Sequence, residues 1–321
     1  MAYTNSQATP RSDIYALVMQ ANADFNTLFI GDKVFPVKSE DVKRGIYMKA
    51  KLANAELLNG DAKARANGDA YQRVNRKYDT DTFDCAEYGL ESVIDDAYES
   101  EVERFMNLEM TEAMLLERSL RISYEVRVAA ALMNSSTFTA TAAGTAYTAA
   151  NIATFDVVDD VDLAKARLLK NGQIANAVVM SYNVYQRIRR STKLQNQVYG
   201  VVPKSAGQSM LPGEADVAQA LGVETLYVGK APKNANGKGQ TFSGGFIWGD
   251  TYIAVCNIAG GEYTAGGVGR TIQWSKDTTG LFTPETYRSD ERRSNILRVR
   301  QHTAEKVIDE TACELITTSY A

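Results

Sequence analysis

Apolar residues recur at steps of three and four through one long segment and alternate with polar ones through several short segments. Between residues 96 and 133 there is neither Gly nor Pro. Val102, Met106, Ala113, Leu116, Leu120, Tyr124, Val128 and Leu132 follow one another at helical spacing, and Glu117 stands four positions ahead of Arg121, a pairing that supports a helix. The spacing predicts one continuous helix of about 37 residues, roughly 55 Å long at 1.5 Å per residue. The apolar step does not hold a seven-residue repeat, so this is a structural spine rather than a coiled coil.

Ahead of the spine the pattern is different. The first 35 or so residues read as a polar arm with one short amphipathic turn at Ile14, Leu17 and Val18. "RGIYMKAKL" then alternates, with Ile46, Met48, Ala50 and Leu52 on one side and Tyr47, Lys49 and Lys51 on the other. "AYQRVNRKYDTDTFDCAEY" returns with Tyr71, Arg73, Asn75 and Lys77 facing one way, and "NGDAKARANGD" between them has no large apolar residue. Two strands around a hydrophilic tip make a protruding hairpin, and one with so little apolar content needs something to lie against.

Behind the spine, the Thr/Ala-rich "SSTFTATAAGTAYTAANIATF" breaks the period and reads as a boundary. "DDVDLAKARLLKNG" has acids at its start and Asn171-Gly172 at its stop, the punctuation of a helix. Ala177 to Met180 is a short strand of buried type, Ser181 caps the helix after it, and "ADVAQALGV" is another short helix. "TLYVG" and "GGFIWGDTYIAVCNI" read as strands, the latter folding into a tight hairpin at Gly249-Asp250. "TIQWSK", "SNILRVRQH" with Leu297 and Val299 opposed to Arg298, Arg300 and His302, and "ACELIT" complete the strands. Helices and strands are partly segregated and partly mixed, and the class is α+β.

Composition narrows the chemistry. The 321 residues are 45% apolar and 23% charged with a formal net charge of −4, so any contact with a polyanion has to be local. Cys85, Cys256 and Cys313 are widely spaced and suggest neither a disulfide framework nor a zinc site. No basic segment followed by an apolar run marks a signal peptide, and no apolar stretch has the ~18 residues of a membrane span. Asn134-Ser135-Ser136 matches a glycosylation sequon by chance in a chain without secretion signals.

Enzyme motifs fail on inspection. His302 is the sole histidine, has no nucleophile elbow with it, and is expected on a solvent face among arginines. "PKNANGKGQ" carries Gly237-Lys238, but a phosphate loop requires Gly where Pro232 stands and Ser or Thr where Gly239 stands. "GGVGR" at Gly266, Gly267 and Gly269 is a turn, and Asp95-Asp96 and Asp159-Asp160 stand where carboxylates suit helix starts. No catalytic, cofactor-binding or metal-ligating residue is assigned. "SYNVYQRIRRSTKLQNQVYG" gathers Arg187, Arg189, Arg190 and Lys193 around Tyr182 and Tyr185, a mixture that nucleic-acid surfaces use. Ser181, Val184, Tyr185 and Ile188 nevertheless form one stripe, which makes an amphipathic helix with a basic outer face the simpler reading.

The order of arm, long hairpin, spine helix, α/β lobe and terminal strands resembles the major capsid proteins of tailed bacteriophages, the Hong Kong 97 fold. "CAEYGLESVIDD", "AVVMSYNVYQRIRR", "LGVETLYVGKA", "FIWGDTYIAV" and "ETYRSDERRSNILRVRQHTAEKVIDETACELIT" are similar to stretches of such coat proteins, in the same order, from about residue 35 onward. The resemblance implies an N-terminal arm to residue 38 and an extended loop over a neighbouring subunit at 39–92. It implies the spine helix and first part of a peripheral domain at 93–155, an axial domain at 156–266, and the second part of the peripheral domain at 267–321. It also implies a virion protein, assembled in the bacterial cytoplasm as hexamers and pentamers around double-stranded DNA contacted non-specifically, without cofactor or membrane. Its partners would be its own copies, a portal, a decoration protein in some heads and a separate scaffolding protein, because no long charged helix precedes the arm. Candidate intersubunit contacts are Lys63, Arg65, Asp69, Arg187, Arg190, Arg298 and Arg300. Two other functions stay open: an encapsulin-like nanocompartment shell, and a nucleic-acid-binding protein using the helix at 181–193.

Overall fold

A computed structural model describes residues 9–11, 14, 20, 22–49, 62–73, 79–102, 107–200, 211–237, 239–278 and 280–320. Leu17, Val18, Ala50, Lys51, Leu52, Asn75, Lys77, Met106 and Lys238 lie outside that set.

The chain begins with the short strand Thr9–Pro10 (β1) and two single-turn helices, Ala23–Asn26 (α1) and Gly31–Val34 (α2). Val37–Glu40 (β2), Arg44–Lys49 (β3), Asp79–Asp84 (β4) and Ala86–Asp95 (β5) follow. β3 and β4 pair antiparallel from Arg44 opposite Asp84 to Lys49 opposite Asp79. The expected hairpin is therefore present, but its return strand starts at Asp79, and residues 71–73 are unpaired coil.

The expected single spine is two helices, Asp96–Val102 (α3) and Leu108–Leu132 (α4). Asn107 is extended, at φ −77° and ψ 102°, and its side chain accepts from the Met110 N–H at 2.9 Å. An asparagine amide competes with the helix for backbone donors, so it restarts the helix where a count of apolar spacing passes over it. Ala113, Leu120, Tyr124, Val128 and Leu132 are buried as the spacing predicts. Glu117 and Arg121 are buried too, 3.0 Å apart, and the Asn22 amide donates to Glu117 at 2.6 Å.

The Thr/Ala-rich boundary is not a linker. Thr139–Ala142 (β6) joins a sheet, and Tyr147 and Phe155 are fully buried. Val157–Lys170 (α5) is capped by Asp156 and ends at Asn171, with Gly172 at φ +76° where a left-handed residue stops the helix. Ala177–Ser181 (β7), Tyr182–Ile188 (α6), Thr192–Tyr199 (α7), Glu214–Ala220 (α8), Thr225–Gly229 (β8), Pro232–Asn234 (β9) and Gly244–Phe246 (β10) come next. Tyr252–Cys256 (β11), Gly269–Trp274 (β12), Thr283–Ser289 (β13), Ser294–Val307 (β14) and Cys313–Thr317 (β15) complete the chain. β10 pairs with β9 and β11 with β7 and β15, so Gly249-Asp250 joins two sheets instead of closing a hairpin. The Asp250 carboxylate is taken by Ser181 and Asn183.

Two larger sheets organise the molecule. One has the order β6-β15-β11-β7-β8. Ala177, Val179, Ala254, Cys256, Cys313 and Leu315 face the core that includes α4, while Val178, Met180, Ile253, Val255 and Ile316 face the core that includes α5. Covering on both sides explains why "AVVMS" is continuously buried. The other sheet is held together by the long β14, which pairs with β13, β12 and β5, with β1 and β2 at its margins. α4 lies across one face of it, through Leu297 against Ala113 and through Val299 within the α4 core.

Candidate assembly surfaces

Three surfaces gather the sequence-predicted contact residues. The first is the hairpin. At its root, Tyr47 is buried, its hydroxyl donating to the Val307 carbonyl at 3.2 Å and lying 3.3 Å from Asp81. Its ring meets that of Tyr263 at 5.5 Å, and Lys49 bridges Asp81 at 3.2 Å and Glu310 at 3.6 Å. Burial, reinforced by the Asp81 charge, drives the Tyr47 phenol well above its ordinary range, so it stays a donor. Tyr47 and Lys49 thus tie the hairpin to its own subunit. Ile46, on the opposite face of the same strand, is 72% exposed, and Val42 is half exposed. Lys63, Arg65 and Asp69 are all exposed at the tip, where the Arg65 guanidinium donates to the Asp69 carbonyl at 2.9 Å and lies 4.5 Å from the centre of the Tyr71 ring.

The second surface is the face of the β14 sheet turned away from α4. Register sets Glu285 and Glu91 on either side of Arg298, and Glu87 beside His302. The Arg298 fork donates to Glu285 Oε2 at 2.7 and 3.2 Å, and the Arg300 fork donates to Glu285 Oε1 at 2.6 and 2.9 Å. Arg300 also pairs with Asp277. Burial would raise the Glu285 and Asp277 carboxyls, but the guanidiniums outweigh it and hold both below the usual range. Arg298 and Arg300 are therefore committed within the chain. His302 is not on a solvent face: it is 3% exposed, with Nδ1 2.5 Å from Asp277 and Nε2 3.5 Å from Glu87, and its ring sits edge-on to Trp274. Alternation alone placed it outside; the Trp274 ring and the Asp277 carboxylate cover it.

The third is the basic helix. Val184, Tyr185 and Ile188 are buried, and Tyr182 packs against Phe246 at 5.4 Å. Arg187 lies 4.6 Å from the Tyr320 ring, Arg189 lies over Tyr185, and Lys193 is 3.3 Å from Asp156. Arg190 is exposed. The rings are thus used inside the fold, and the seven predicted contacts fall on separate surfaces. Among the described residues, no three His, Cys, Asp or Glu side chains cluster as a metal site, and no helix is long and apolar enough to cross a membrane. Sequence reading missed Tyr263, Asp277 and Glu285, which carry no local motif and acquire their roles only through pairing.

No protein-family model and no curated protein matches the chain. Solved structures do. A phage-related protein from Bordetella bronchiseptica aligns at TM-score 0.68 and 16% identity over 98% of both chains. The capsid structure of cyanophage P-SCSP1u aligns at 0.58 and 11% identity over 91% of this chain and 88% of the other. The holo-SrpI encapsulin complex from Synechococcus elongatus aligns at 0.51 and 11% identity over 89% of this chain and 85% of the other. The chain therefore has the fold of tailed-phage capsid proteins, the Hong Kong 97 fold, in the α+β class expected from its sequence.

Proposed function

We propose that this chain is a structural coat protein whose copies assemble as hexamers and pentamers into the icosahedral head that encloses a phage genome. The observation that carries the reading is the fold likeness to a phage capsid structure over 91% of the chain. The hairpin supports it independently: a polar arm anchored at one end, with Ile46 exposed on its free face, is suited to lie on another copy. On this reading, residues 1–38 form the arm, 39–92 the loop over a neighbour, 93–155 and 267–321 the peripheral domain, and 156–266 most of the axial domain. Lys63, Arg65 and Asp69 at the tip and Arg190 on the basic helix are the contacts best placed to meet other copies. Arg187, Arg298 and Arg300 act mainly inside the subunit. The protein works without cofactor or chemical step, is assembled in the host cytoplasm with a separate scaffolding protein and a portal, and contacts packaged DNA non-specifically.

Co-expression with the scaffold, followed by electron microscopy and nuclease treatment, tests this reading. Closed shells are expected from co-expression, and nuclease-protected DNA inside heads made during infection; monomers and small oligomers alone, under shell-favouring conditions, would overturn it. The encapsulin likeness supports a second reading, a nanocompartment shell. Shells that retain one protein cargo and no nucleic acid would favour it.

A further inference from the structure

Cys256 ends β11 and Cys313 begins β15, and the antiparallel register sets them directly opposite each other. Both are free thiols. One step further along, the Asn257 N–H donates to the Ala312 carbonyl at 2.8 Å. Hydrogen-bonded and non-bonded pairs alternate along an antiparallel ladder, so the cysteines occupy a non-bonded position, where Cα atoms stand about 4.5 Å apart. A disulfide spans Cα separations of about 4.4–6.8 Å. The two side chains share one face and one core with Ala177, Ala254 and Leu315. Cys85 belongs to another cluster, its thiol 3.6 Å from the Ile272 carbonyl.

We propose that Cys256 and Cys313 are a redox pair that closes to an intrachain disulfide, stapling the C-terminal strand β15 to β11. The oxidant is a low-mass disulfide. One cysteine thiolate attacks a sulfur of that molecule and expels one small thiolate, leaving a mixed disulfide on the chain. The second cysteine thiolate attacks the chain sulfur of the mixed disulfide and expels the other small thiolate. Two protons leave the cysteines, two electrons end on the small molecule, and one sulfur–sulfur bond is exchanged for another.

Location sets the rate. Buried thiols are inert, and burial pushes the Cys313 thiol well above its ordinary range. The pair lies near the end of the β11–β15 ladder, closed beyond by the Asn257–Ala312 hydrogen bond, and Cys256 is also paired with Ala177 of β7. The sulfurs are reached only when this end of the sheet opens locally, so closure is slow in the native state and faster where opening is promoted. Closure draws the Cβ atoms only slightly closer, from about 4.5 Å to about 4 Å, and a dithiol reverses it by the same exchange. The staple does not depend on the chain building a shell.

The test incubates the purified full-length chain with oxidised glutathione, with and without mild urea, and follows free thiols, peptide masses and the unfolding midpoint. Of the three thiols one should remain, on Cys85, with a cross-linked peptide joining Cys256 to Cys313. The midpoint should rise by several degrees and fall back with dithiothreitol, and mild urea should speed closure several-fold. Cys85→Ser should still close, while Cys256→Ser and Cys313→Ser should not. Three persistent thiols in mild urea, a bridge to Cys85, or cross-linked dimers would each overturn the proposal. Particle formation, scored separately by microscopy, is a distinct outcome that bears on the shell reading alone.

Discussion

Glu125 shows how much one side chain on α4 can hold. It is fully buried; its Oε1 accepts from the Ile30 N–H at 3.0 Å and the Trp248 indole at 2.7 Å, and its Oε2 accepts from the Gly31 N–H at 2.7 Å. A carboxylate thus joins the spine, the entry to α2 and the segment before β11. Burial raises its pKa, and the three donors pull against that rise. Gly31 is required for space, since a Cβ there would stand 2.5 Å from Glu125 Oε2. Glu125→Gln puts an amide N–H against a backbone N–H and should lower stability by about 2–3 kcal/mol, read as a drop in urea midpoint. An unchanged midpoint would mean the three-donor account is wrong. Leu120→Asp places an unpaired carboxylate in the buried stripe and should cost several kcal/mol, leaving little soluble folded chain.

At the scale of elements, the hairpin separates folding from assembly. Residues 62–73 are all exposed, so removing 62–69 takes almost no buried apolar area, and at ~25 cal/mol per Å² the monomer should lose little stability. Shell formation should fail or become inefficient, because no described residue of the subunit covers the tip. Thermal unfolding of the monomer beside sedimentation of particles checks both halves; normal assembly would remove 39–92 from the intersubunit contacts. The hairpin and the amphipathic α4 and α5 were legible in the sequence because period and punctuation are local. The break at Asn107 and the placing of β10 and β11 in different sheets were not, because a cap and a sheet partner are chosen by competition among many near-equal local options.

For the whole molecule, the acids that hold Arg298 and Arg300, Glu285 on β13 and Asp277 in the turn after β12, predict a pH limit. Glu285 and Asp277 have depressed pKa values in the fold. The unfolded chain therefore takes up protons first as pH falls. Their stabilisation is present above the unfolded values of about 4, and disappears as pH drops through the lower folded ones. The unfolding midpoint should fall steeply below about pH 4. Glu285→Gln should lower it at neutral pH, by leaving Arg298 and Arg300 without their shared carboxylate, and should flatten the acid limb. A variant with the wild-type acid profile would show that these acids do not govern acid stability.

What the sequence by itself determined is periodicity: the α4 stripe, the cap at Ser181, the alternation of β14 and the α+β class. These depend on residues within one or two turns of each other. The tertiary structure alone decided which face of an alternating strand is covered. Tyr47 is buried while Ile46 is exposed, and His302 lies under Trp274 and Asp277 instead of in solvent. It alone also brought Cys256 beside Cys313, and Glu285 between Arg298 and Arg300. The physical reason is that a period of two marks two faces without saying which one meets a partner. Pairing between distant strands is settled only when the whole set of buried surfaces and hydrogen bonds is satisfied together.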